Sequence, residues 1–127
     1  MTLYSPAETA EKSGFSIDTL RYYEKIGLLW DIARNASGRR RFSENDLQWL
    51  HVLRCLRETG MPIAEMLRYA ELARAGDATL EARFELLKEH DRRVEQRIAR
   101  LREQQEQVQW KIGFYAEFLA ERAAASA

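Results

Sequence analysis

Apolar residues follow two different rhythms along the 127-residue chain. Up to residue 76 they come in short blocks punctuated by glycine and proline, and from Thr79 onward they repeat without a break. Ser5-Pro6-Ala7-Glu8 joins an N-cap serine, a proline at the first helical position and a capping-box glutamate, which predicts a helix start. Gly14 stands where a left-handed residue ends such a helix. Ser16 caps the next segment, IDTLRYYEKI, which Gly27 closes. Two short helices joined by a glycine-containing turn form a helix-turn-helix pattern. From Leu28 to Phe42 the helical period is lost, and the turn formers Asn35-Ala36-Ser37-Gly38 lie between IAR and RRRF, which predicts a small hairpin. Ser43 then caps a third helix with Leu47, Leu50, Leu53 and Leu56 on one stripe, ended by Gly60. Pro62 opens a fourth helix through Arg74, and Gly76-Asp77 interrupts again.

The remaining segment carries Phe84, Leu87, Asp91, Val94, Ile98, Leu101, Gln105, Val108, Ile112, Tyr115 and Leu119 at alternating steps of three and four. That is a heptad seam with Asp91 and Gln105 as its polar members. A helix of this extent reaches roughly 60 Å and cannot bury its own stripe. Packing on its own N-terminal part is one way to cover it, but that part is too short. The expectation is self-association through the long helix, with two-fold symmetry, the polar seam positions fixing register at some cost in stability.

Composition adds a core and removes several classes. With 46% hydrophobic and 10% aromatic residues the chain is too apolar to be disordered. It has no apolar run approaching the roughly 18–20 residues that cross a bilayer, and its N-terminus has no signal-peptide pattern. One cysteine supports neither a disulfide framework nor a Cys-rich zinc site, so a soluble cytoplasmic location is expected. His51, His90 and Cys55 offer only three potential ligands with nothing to bring them together, so neither a metal nor a cofactor is expected. An enzyme is not expected: there is no glycine-rich phosphate loop, Ser-His arrangement or carboxylate pair on a cleft-forming scaffold.

Twenty basic and twenty acidic residues cancel, which taken alone argues against a nucleic-acid partner. The cancellation is not local. Residues 34–41, RNASGRRR, hold Arg34, Arg39, Arg40 and Arg41 and no acid, a +4 hairpin tip. Arg21, Tyr22, Tyr23 and Lys25 lie on the second helix of the helix-turn-helix, the element such folds place in the major groove. Each feature has a plainer reading, solvated arginines or core tyrosines; their combination favours DNA.

The order of parts, with TLRYYEKIGLL at 19–29, the wing R-N-x-S-G-x-R from Arg34 to Arg40 and FSENDLQWLHVLRCLRETGMPI at 42–63, resembles the MerR family of bacterial transcriptional regulators over nearly the whole chain. The resemblance implies a mainly all-α fold: a winged helix-turn-helix head with a β-hairpin wing over 1–76, including two further helices, a long dimerisation helix over 77–122 that forms an antiparallel coiled coil in the dimer, and a short frayed tail over 123–127. It implies DNA contacts from Arg21, Tyr22, Arg34 and Arg40, with Tyr23 and Leu28 as packing residues; Ser16 and Thr19 at the start of the second helix, and Arg39 on the wing, are expected to join them. Two departures stand out. Phe42 occupies a position usually held by tyrosine, so a phosphate hydrogen bond is lost, and Arg39 replaces an aromatic or aliphatic residue. Asp18 reads as a complement to the helix N-terminus rather than a base contact. The implied mechanism is binding of a pseudo-palindromic promoter operator by the homodimer, with signal-dependent distortion of the DNA that lets RNA polymerase use it.

Metal-sensing members of the family carry a cysteine pair near the end of the long helix, the iron–sulfur branch needs four cysteines, and the multidrug branch has a large C-terminal ligand domain. None matches this chain. What remains is Cys55, in C-x-R-x-x-G, with Arg54 and Arg57 beside it and His51 one turn earlier. Nearby basic residues favour the nucleophilic thiolate. The context resembles the AdhR/NmlR branch, which implies that Cys55 senses aldehydes or other electrophiles. The alternatives are a buried cysteine acting as a small hydrophobe, a reversible small-molecule signal near Trp110, Phe114, Tyr115 and Phe118, or a DNA-binding architectural protein with no inducer.

Overall fold

Ser5 begins the first helix by the reciprocal bonds of a capping box: its hydroxyl accepts from the Glu8 amide at 3.1 Å, and the Glu8 carboxylate accepts from the Ser5 amide at 3.0 Å. The computed structural model describes residues 2–127. Helix α1 spans Pro6–Ser13 and ends at Gly14, whose φ of 81° places it in the left-handed region. Helix α2 follows over Ile17–Ile26. Strands β1 (Ala33–Arg34) and β2 (Arg40–Arg41) pair antiparallel, Ala33 opposite Arg41 and Arg34 opposite Arg40. Helix α3 spans Glu44–Glu58 and α4 spans Ile63–Arg74; a single 3-10 turn, Asp77–Thr79, precedes α5, Leu80–Ala125. This is the mainly helical, winged arrangement that the pattern predicts.

The core is built around α3. Leu50 and Leu53 are wholly buried, and Leu47 and Leu56 continue their stripe, joined by Phe15, Leu20, Tyr23, Leu28, Leu29, Phe42, Met61, Met66 and Ala70. Removing a fully buried leucine side chain from water is worth roughly 1.5–3 kcal/mol, so this stripe sets the arrangement of the short helices around it. The contacts that close the head are those of α1 with α2 and α3, and of α3 with α4. Thr9 and Ser13, both buried, satisfy their hydroxyls locally: Thr9 donates to the Ser5 carbonyl at 2.8 Å and the Ser13 hydroxyl accepts from the Phe15 amide at 3.2 Å.

Contacts divide the chain into two compact units, the first ending at Lys88 and the second running from Glu89. The first reaches past residue 76 because Leu86 and Leu87, from the opening turns of α5, pack against the head core. In the second unit the helix is regular through Ala125, beyond residue 122. Of the seam residues, Leu101, Val108, Ile112, Tyr115 and Leu119 are each more than half exposed within the single chain.

Candidate DNA-binding surface

Helix α2 is amphipathic by strict spacing. Leu20 and Tyr23 turn into the core, and Asp18, Arg21, Tyr22 and Lys25 share the opposite, exposed face. Tyr22 is 53% exposed whereas Tyr23 is 3% exposed, which separates two adjacent tyrosines into a surface residue and a core residue. At the N-terminus of α2 the Ser16 hydroxyl accepts from the Thr19 amide at 3.1 Å and donates to the Thr19 hydroxyl at 2.9 Å. Thr19 thereby keeps its own hydroxyl proton to donate outward, next to a helix end whose dipole favours anions. The C-terminal end of α2 is pinned by two donors from other helices. The Trp49 indole N–H donates to the Leu28 carbonyl at 2.8 Å, and Arg74 donates to the Gly27 carbonyl at 2.8 Å while its guanidinium lies 4.7 Å from the Trp30 ring centre.

The wing is shaped by Asn35. Its side-chain oxygen accepts from the amides of Ser37 and Arg39, both at 3.0 Å, and Gly38 closes the turn with φ 78°. The four arginines of this segment have different environments. Arg39 is exposed, and its guanidinium has no hydrogen bond or ion pair among the described residues. Arg34 lays one guanidinium nitrogen on the Gly38 carbonyl at 2.8 Å. Arg41 donates to the Arg40 carbonyl at 2.9 Å. Arg40 forms a close ion pair through Nε with Glu24 of α2, both side chains being less than one-third exposed. No sequence motif marks Glu24; its carboxylate offsets one charge of the wing and ties the wing to α2.

The base of the wing is closed from the other side by a bridge between Tyr4 and Phe42, whose amides and carbonyls exchange two bonds of 2.8 Å. Phe42 is 1% exposed. Its ring is a core element, and a buried ring without a hydroxyl leaves no polar atom to satisfy. Tyr4 donates its phenol proton to the Glu44 carboxylate, a bond that raises the phenol above its ordinary range.

Cys55 is exposed on α3. Its sequence neighbours are engaged elsewhere. Arg54 bonds Glu58 at 2.8 Å, which holds the guanidinium above its ordinary value, and also donates to the Ser13 carbonyl at 3.2 Å. Arg57 lies over the Phe15 ring, and the His51 ring meets the Lys12 carbonyl at 3.5 Å. Among the described residues no group of three or more His, Cys, Asp or Glu is placed to hold a metal ion, and no helix is long and apolar enough to cross a membrane.

A family model for the MerR HTH family of regulatory proteins matches residues 4–72, and a second, MerR DNA binding, matches residues 47–110. The chain belongs to the MerR family. A Haemophilus influenzae HTH-type transcriptional regulator is 42% identical over 88% of this chain and 83% of its own length. The Bacillus subtilis regulator AdhR is 37% identical over 65% of this chain and 59% of its own. Among solved structures, the crystal structure of HiNmlR, a MerR family regulator lacking the sensor domain, bound to promoter DNA, is 40% identical with a TM-score of 0.83, covering 91% of this chain and 92% of that one. These similarities agree with the AdhR/NmlR branch. The MerR chain described here is thus a DNA-binding transcriptional regulator, and its relatives are regulators rather than enzymes.

Proposed function

We propose that this MerR regulator binds a pseudo-palindromic promoter operator as a homodimer, presenting Ser16, Thr19, Arg21 and Tyr22 to the major groove and Arg34, Arg39 and Arg40 to the flanking phosphates. The observation that carries this reading is the ion pair between Arg40 and Glu24, which ties the wing to the helix that carries Arg21, Tyr22 and Lys25. Dimerisation through α5 as an antiparallel coiled coil is supported by the stretch of the heptad seam from Leu101 to Leu119, whose apolar members stay uncovered within the single chain. Each half-site is then read by one head. A signal that alters the pose of the heads changes which DNA shape is favoured, because smooth bending of a site costs about 1–6 kcal/mol. RNA polymerase uses the distorted promoter. Such a protein acts in the cytoplasm.

The signal is an aldehyde or a related electrophile that reacts at Cys55. The thiol adds across the carbonyl, forming a carbon–sulfur bond as the carbonyl π bond opens and its oxygen takes the proton. Exposure of Cys55 supports access to the sulfur. Transcription from the protein's own promoter, with and without formaldehyde, tests this reading: wild type responds, Cys55→Ser keeps operator binding but loses the response, and mass spectrometry finds the adduct on Cys55. A full response from Cys55→Ser removes the thiol from the mechanism and leaves the DNA-binding reading intact.

A further inference from the structure

The DNA-facing surface makes no use of a half-open cavity of about 500 Å³ in the first compact unit, a size within the roughly 300–1,000 Å³ typical of small-molecule sites. Its walls come from the loop after α2 (Trp30, Asp31), from α3 (Asp46, Trp49), from α4 (Tyr69) and from the opening of α5 (Arg83). The aromatic wall is rigid. Trp49 stacks on Tyr69 with ring centres 5.4 Å apart and meets Trp30 edge-on at 5.3 Å, and its indole N–H is fixed on the Leu28 carbonyl. Trp30 already receives the Arg74 guanidinium over its ring, so this cluster supports a cation in the native fold.

The lining carries two carboxylates, Asp31 and Asp46, against one guanidinium, Arg83, and so is net negative. Arg83 gives Nε to the Thr79 hydroxyl and Nη2 to the Gly76 carbonyl. Asp46 uses one carboxylate oxygen for the Ser43 amide at the start of α3. Asp31 is exposed and, among the described residues, has no hydrogen bond or ion pair. It is also the one non-glycine residue among them with a positive φ, 54°, so the chain holds a carboxylate at a backbone position that most side chains avoid. Arg83 turns its bonded nitrogens onto neutral oxygens, so the two carboxylates outweigh it and favour a cation, with the aromatic wall to hold an apolar body.

We propose that this cavity binds a small organic cation with a compact apolar body, its cationic group against Asp31 and its body on Trp49 and Trp30. The site is reversible and independent of Cys55. Benzyltrimethylammonium is a suitable probe, with benzyl alcohol as its neutral counterpart, titrated into the full chain and followed by tryptophan fluorescence and calorimetry at constant ionic strength. The expected result is saturable binding of the cation, unchanged in Cys55→Ser. Asp31→Asn weakens it by about tenfold or more, since asparagine tolerates the same backbone and only the charge is lost. Ala73→Leu, which narrows the cavity, removes saturable binding in a chain whose circular dichroism is unaltered. No saturation in the millimolar range, equal affinity for benzyl alcohol, dependence on the Cys55 thiol, or unaltered binding in both cavity variants overturns the proposal. Because operator binding is not part of the readout, failure here is distinguishable from failure of the regulatory reading.

Discussion

Arg39 and Arg40 are adjacent in sequence and differ in what holds them. Arg39 has a free guanidinium on the tip of the wing, whereas Arg40 is locked onto Glu24 across the gap to α2. A fixed arginine contributes geometry as well as charge, since less side-chain entropy is lost when it meets a phosphate. Glu24→Gln is therefore expected to loosen the wing from α2 while removing a negative charge from the surface. Non-specific DNA affinity holds or rises, and the ratio of operator to scrambled-duplex affinity falls by about tenfold, or 1.4 kcal/mol. Fluorescence anisotropy on both duplexes measures it, and an unchanged ratio shows that Glu24 does not position Arg40. Helical spacing leaves Tyr22 and Tyr23 both open as core residues; the family resemblance points to Tyr23 as the packing one, and the structure buries it beside Leu20 and exposes Tyr22. The Glu24 contact was not legible in the sequence, since it depends on how a hairpin lies against a helix sixteen positions away. Cys55 shows the same limit. The sequence places His51, Arg54 and Arg57 near it, but the Lys12 and Ser13 carbonyls, the Glu58 carboxylate and the Phe15 ring engage those side chains.

At the scale of elements, the caps made the short helices readable. Ser5, Ser16 and Ser43 each accept from an amide three residues on, as their sequence contexts predict. What local pattern did not reveal is the 3-10 turn at Asp77–Thr79, where the Thr79 hydroxyl reaches back to the carbonyls of Leu72 and Gly76 and the first turns of α5 are recruited into the head. The α1 cap also carries a pH dependence of definite sign. The backbone amide of Ser5, then its hydroxyl, hold the Glu8 carboxyl below its ordinary range. A depressed folded value means the stabilisation is present above the unfolded carboxylate range near about 4.3 and is lost as pH falls through the lower folded value. Glu8→Gln is expected to flatten the fall in melting temperature on acidification below about pH 4, measured by circular dichroism. An identical acid profile in the variant removes this contact from the pH response.

For the whole molecule, a net charge of zero hides a division of labour. The wing concentrates arginine, and α5 mixes both signs along a helix about 70 Å long. Because the apolar seam residues from Leu101 to Leu119 are uncovered in one chain, placing a carboxylate among them is expected to break self-association: burying an unpaired charge costs several kcal/mol per ion. Val108→Asp should sediment as a monomer and lose most of its operator affinity, since one head alone engages one half-site. A dimeric Val108→Asp would mean that the seam is not the interface. Operator affinity measured against salt for wild type and Arg21→Ala shows whether the exposed face of α2 and the wing read operator DNA. In the wild type, log affinity is expected to fall linearly with log salt at a slope of about −0.9 per phosphate contacted. Arg21→Ala is expected to lose about 1–3 kcal/mol per half-site, more on operator than on scrambled DNA. Salt-insensitive binding, or an Arg21→Ala variant with wild-type operator affinity, would contradict that role for the surface.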